Sequence, residues 1–72
     1  MSRLLSSKEV ITVLLAEDFV FISQRGSHAK YRKTGMDDVL TVIVPVSKKE
    51  IPIGTLRSII RQSGLPRERF WD

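Results

Sequence analysis

The chain contains no cysteine, so neither a disulfide framework nor a thiolate metal site can form. It has one histidine, His28, and eight carboxylates, a poor donor set for zinc, and no metal or other cofactor is expected. Apolar runs are short: none approaches the roughly 20 residues that a membrane-spanning helix needs. Met1-Ser2-Arg3-Leu4-Leu5-Ser6-Ser7 lacks the long apolar core of a signal peptide. A cytoplasmic protein with no membrane partner is therefore expected. Acidic residues are missing locally as well, since none falls between Asp18 and Asp37.

Into that gap falls Arg25-Gly26-Ser27-His28-Ala29-Lys30-Tyr31-Arg32-Lys33, with the only histidine and four cations. A glycine followed by alternation suggests a turn feeding a basic strand. Over the whole chain twelve Lys and Arg face eight Asp and Glu, a net charge of +4. A basic domain attracts polyanions, nucleic acid above all; charge kept for solubility is the plainer alternative. The 72 residues suffice for one domain, residues 1–72, with a modest core. A hydrophobic fraction of 42% is ordinary for a globular fold and argues against disorder.

Ser6-Ser7-Lys8-Glu9 fits a capping box, with Leu5 and Val10 in the flanking staple positions. Val10, Ile11, Leu14 and Leu15 recur at helical spacing, which predicts a helix over about Ser7 to Glu17. Phe19 to Gln24 is aromatic and β-branched, hence a strand. Arg25-Gly26-Ser27 supplies a turn, and a second strand runs from about His28 to Lys33. After the turn cluster Thr34 to Asp38, the run Val39 to Val44 is apolar at five of its six positions. Such continuity predicts a central or well-covered strand. Pro45 ends it, having no amide to donate.

Thr55, preceded by Gly54, is read as the N-cap of a second helix. Leu56, Ile59, Ile60 and Ser63 share one face of that helix, and Arg57 and Arg61 another. Gly64 and Leu65 form a helix stop, and Pro66 opens a short turn, Arg67 to Trp71. The order is α-β-β-β-α: an α+β fold with a three-stranded antiparallel meander, two helices on one sheet face and a C-terminal helical turn.

That order looks like the double-stranded-RNA-binding domain. The residues narrow the likeness. Gly26-Ser27-His28 in a basic strand with Tyr31 behind it, Val44-Pro45 closing the third strand, and Gly54-Thr55-Leu56-Arg57-Ser58-Ile59-Ile60-Arg61-Gln62-Ser63-Gly64-Leu65 together resemble the HicA toxin family. The resemblance covers nearly the whole chain. It implies the toxin of a toxin–antitoxin pair: a ribonuclease that cuts messenger RNA, stops growth, and is silenced by a HicB-type antitoxin bound over the active site. The family's catalytic histidine matches His28. The chain departs from the family at Ser47-Lys48-Lys49-Glu50, where relatives often carry histidine or glycine.

RNA carries its own nucleophile, the 2′-hydroxyl beside each phosphodiester. Cleavage needs a base for that proton, an acid for the leaving 5′-oxygen and cations on the phosphate. Histidine can serve as base or acid near neutral pH. His28 is accordingly the candidate general base, with Arg25, Lys30 and Arg32 on the phosphate. Strand alternation places His28, Lys30 and Arg32 on one face, which should be open, and Ala29, Tyr31 and Lys33 on the other. Gly26 would let the backbone turn and the RNA approach; Ser27 would donate to phosphate or close the turn. With one histidine in the chain, the acid is water, a lysine or the ribosome.

Other readings remain for several of these residues. His28 could be an idle surface histidine, and the cations could be edge charges that block strand aggregation. Lys48 and Lys49 are read as loop solubility charges, and Tyr31 as core. Arg57 and Arg61 would contact phosphate or an acidic antitoxin surface, or simply be an exposed helix face. Two other functions compete with the nuclease: a non-catalytic RNA-binding module, and an interaction domain whose basic face docks an acidic protein.

Overall fold

The computed structural model describes residues 3–71. Met1 and Ser2 of the stretch read for a signal peptide, and Asp72, lie outside the described residues. The elements are α1 (Ser7–Ala16), β1 (Val20–Arg25), β2 (His28–Thr34), β3 (Val39–Pro45), α2 (Ile53–Ser63) and a C-terminal 3-10 turn (Arg67–Arg69). This is the α+β order read from the sequence.

Helix α1 starts at the capping box. Ser6 Oγ accepts from the Glu9 amide at 3.1 Å, and the Glu9 carboxylate accepts from the Ser6 amide at 2.9 Å. Arg3 forks onto the same carboxylate at 3.0 and 2.5 Å. The Arg3 guanidinium first, and the Ser6 amide after it, hold the Glu9 carboxyl down to about 2.

The helix stops without a glycine. Asp18 takes φ +72°, its amide reaches Leu15 O at 3.2 Å, and the Phe19 amide reaches Leu14 O at 2.9 Å. That is a Schellman closure, and its hydrophobic pair, Leu14 and Phe19, is fully buried. Asp tolerates the left-handed region better than most residues, which is why the stop carries no glycine signal.

The sheet order is β1-β2-β3, and both pairs are antiparallel. The central strand is therefore the basic one, β2, while the apolar β3 lies at an edge. It is covered all the same: the Ile43 amide, which points off the sheet, donates to Gln62 Oε1 of α2 at 3.1 Å. Val42 and Val44 are buried, and Ile43 between them faces out. Continuity of apolar residues here reflects a helix laid along the edge, not a second neighbouring strand.

The start of α2 differs from expectation. Ile53 and Gly54 are already helical, and the N-cap is Pro52, not Thr55. Pro52 has its φ preset at −55°, and its carbonyl accepts the first helical bond, from the Leu56 amide at 3.0 Å. Among the described residues no side chain caps this end. Gly64 closes the helix at φ +69°.

Leu5, Val10 and Leu14 from the first helical region form one core with Ala29, Tyr31, Val42 and Val44 of the sheet and with Ile51, Leu56, Ile59 and Phe70. Both helices thus bury their apolar stripes on the same sheet face. The Trp71 indole donates to Arg3 O at 2.6 Å and ties the two ends of the described chain. Every residue of β1 is exposed, Val20, Phe21 and Ile22 included. Phe21 meets Tyr31 edge to face at 5.7 Å between ring centres.

Candidate active site

His28 opens β2. Its neighbours across the sheet are Arg25 on β1 and Pro45 on β3. The turn before it needs its glycine: Gly26 has φ +59°, and an added side chain would meet no atom within 4 Å. The requirement at Gly26 is backbone conformation rather than room. Gln24 closes the turn onto Gly26 O at 3.0 Å. Ser27 O accepts from the Val46 amide at 2.8 Å, so the turn is sewn to the chain just after β3. Ser27 Oγ lies 3.4 Å from His28 Nδ1.

The imidazole is exposed, whereas Ala29 and Tyr31 are buried on the helix side. His28 stands where two clefts meet. The first, of about 350 Å³, lies on the open sheet face and is lined by Ser23, Arg25, His28, Lys30 and Ile43. The second, of about 580 Å³, runs between the end of β3, the following loop and α2. His28, Ser27, Ile43 and Pro45 form its sheet wall, and Thr55, Ser58 and Gln62 its helix wall, with Lys48 at its rim. No carboxylate lines either cleft.

The residues picked from the sequence are distributed unevenly. Arg25, His28 and Lys30 line one cleft together, and Gly26 and Ser27 make the turn beside them. Arg32 is on the same strand face but does not line that cleft. It is half-buried, and its Nε is shielded from solvent without a hydrogen-bond partner among the described residues. Lys33 is on the other side, with its ammonium 5.9 Å from the centre of the Phe19 ring. Arg57 and Arg61 flank a separate cleft beside Trp71 that shares no residue with the His28 grooves.

Sequence reasoning missed Ser23, Lys48, Thr55, Ser58 and Gln62 as wall residues. Lys48, read as a solubility charge, is held over the groove by a buried serine. Ser7 Oγ donates to Pro45 O at 2.5 Å and accepts from the Lys48 amide at 3.0 Å, while the Ser7 amide donates to Lys48 O at 2.9 Å. Lys49 does not line the groove. A signal for the helix wall did exist: Thr55, Ser58 and Gln62 recur at i, i+3 and i+7 as an uncharged polar stripe between the apolar and arginine faces.

Among the described residues no group of three His, Cys, Asp or Glu side chains gathers in metal-binding geometry. No helix among them is long and apolar enough to cross a membrane.

None of the curated proteins matches the chain. The family model of the HicA toxin of bacterial toxin–antitoxin systems does, over residues 7–65. That span runs from the first residue of α1 to the residue after the Gly64 cap, and so takes in both helices, the whole sheet and both walls of the His28 grooves. A match of that extent, on this α-β-β-β-α frame, shows that the chain belongs to the HicA toxin family and is the toxin member of a system that includes an antitoxin partner.

Proposed function

We propose that the toxin is an endoribonuclease that cuts messenger RNA and thereby stops translation, with His28 as its general base. The observation that carries this reading is the exposed imidazole between two carboxylate-free clefts, one of them shared with Arg25 and Lys30. His28 takes the proton of the ribose 2′-hydroxyl, the 2′-oxygen bonds to phosphorus, and the bond from phosphorus to the 5′-oxygen breaks. The leaving oxygen takes a proton from water or a lysine. The products are a 2′,3′-cyclic phosphate end and a 5′-hydroxyl end.

The reaction needs no metal, because the nucleophile belongs to the substrate and a side chain takes its proton. Arg25 and Lys30 stabilise the charge that builds on the phosphate oxygens. For Nε2 to accept the proton, Nδ1 must carry the other hydrogen and turn it toward Ser27 Oγ. Gly26 holds the turn that aims both groups. Arg32 acts further along the strand, on the RNA backbone rather than the scissile phosphate. A HicB-type antitoxin that covers the His28 face would silence the enzyme by exclusion.

The test is induced expression of wild type beside His28→Ala, read as growth arrest and messenger decay. Wild type should arrest growth and the variant should not. Equal toxicity of the two would end the assignment of His28. Cleavage by purified toxin should survive EDTA. Retention of RNA without any cut product, even after long incubation, would instead identify a binding module.

A further inference from the structure

The groove between β3 and α2 is built differently from the open cleft. Gln62 carries the key observation. The Ile43 backbone amide can only donate, so the atom 3.1 Å from it must be the Gln62 carbonyl oxygen. That bond pins the amide and leaves its NH₂ as the polar end that remains. Ser58 Oγ already accepts from the Arg61 guanidinium at 3.1 Å, which leaves its hydrogen to donate. Lys48 can only donate. The Gln62 NH₂ and the Lys48 ammonium thus give this groove two donor-only groups, beside the Ser27, Thr55 and Ser58 hydroxyls and His28, which can donate or accept, and over an apolar floor of Ile43 and Pro45. Its volume of about 580 Å³ lies within the range of small-ligand clefts, about 300–1,000 Å³.

We propose that this groove is the base-recognition subsite of the toxin, and that it selects a keto-bearing base, uracil or guanine, on the nucleotide next to the scissile phosphate. The inference rests on the nuclease reading of His28, which lines the same groove. Uracil O4 and guanine O6 are acceptors at the position where cytosine and adenine carry an amino group. An amino group there would face the Gln62 NH₂ donor to donor, unpaired. The flat face of the base would lie on Ile43 and Pro45, and Lys48 and Ser58 would hold the acceptor edge or the adjoining ribose and phosphate.

The experiment uses purified full-length toxin and short RNAs in which each nucleotide flanking the cut is varied through U, G, C and A. Wild type should cut next to U or G about tenfold faster than next to C or A. Gln62→Glu keeps an acceptor for the Ile43 amide but replaces the donors by a carboxylate. It should lose that preference and cut keto-flanked sites about tenfold more slowly, with an unchanged melting temperature. Unchanged preference and rate in Gln62→Glu, with His28→Ala inactive, would overturn the subsite and leave the nuclease reading standing.

A second arm does not depend on cleavage. His28→Ala protein should bind U-rich oligonucleotides more tightly than C- or A-rich ones, and Gln62→Glu should abolish the difference. Equal affinity for all sequences would mean that the groove takes phosphate alone, and the proposal would fail. If wild type and His28→Ala cut equally, the assignment of His28 fails, and the binding arm still decides the subsite.

Discussion

Ser7 is 4% exposed, and its hydroxyl sits between a strand end and a loop, bonded to Pro45 O and to the Lys48 amide. Helix position alone would accept alanine there, since this serine is not the cap. Its partner Pro45 O would not, because that bond is buried and the carbonyl would lose its donor. Ser7→Ala should cost about 1–3 kcal/mol, the range for leaving a buried partner unsatisfied. Thermal melting of the two proteins checks this. The same change should loosen Lys48 from the groove rim. RNA cleavage at a temperature where the variant is still folded should therefore fall, and Ser7→Thr should retain more activity than Ser7→Ala.

Helix α1 depends on its first turn, as a ten-residue helix is too short to be stable alone in water. The capping box and the Arg3 fork meet on one carboxylate, Glu9. In the folded chain that carboxyl titrates at about 2, against an ordinary value of 4.5. A depressed acid stabilises the fold fully above its unfolded value and loses that contribution as pH falls toward the folded one. The melting temperature should therefore drop between about pH 4.5 and pH 2, and Glu9→Gln should flatten part of that drop. The pair is solvent-exposed, so added salt should shrink the effect. The helix also matters for the site, because its first residue is the serine that anchors the Lys48 loop.

Across the whole molecule, two helices of ten and eleven residues cannot roof three strands. They cover β2 and β3, and β1 projects beyond them with Val20, Phe21 and Ile22 exposed. The opposite face of the sheet carries Arg25, Lys30 and Arg32. If Arg25, Lys30, Arg32 and Lys48 neutralise four phosphates of single-stranded RNA, log affinity should fall against log salt with a slope of about −3. His28→Ala toxin titrated with labelled RNA over a salt series measures that slope. A flat line would mean that these cations do not meet phosphate. Lys48→Ala should make the slope shallower by about one phosphate, whereas Lys49→Ala should leave it unchanged.

The sequence by itself determined much of what acts within a few residues. The Ser6–Glu9 box, the glycine turn ahead of His28, and the period-two separation of His28 and Lys30 from Ala29 and Tyr31 are local geometry, so they could be read directly. The start of α2 was misread because Thr55 has a cap's chemistry, while Pro52 supplies a preset backbone that composition alone does not reveal. Only the tertiary structure decided that β3 lies at an edge, that Gln62 covers it, and that Lys48 and Ser58 stand beside His28. These groups are far apart in the chain. What brings them together is the burial of both helical stripes on one sheet face, and that packing leaves α2's polar stripe against the strand that ends beside the imidazole.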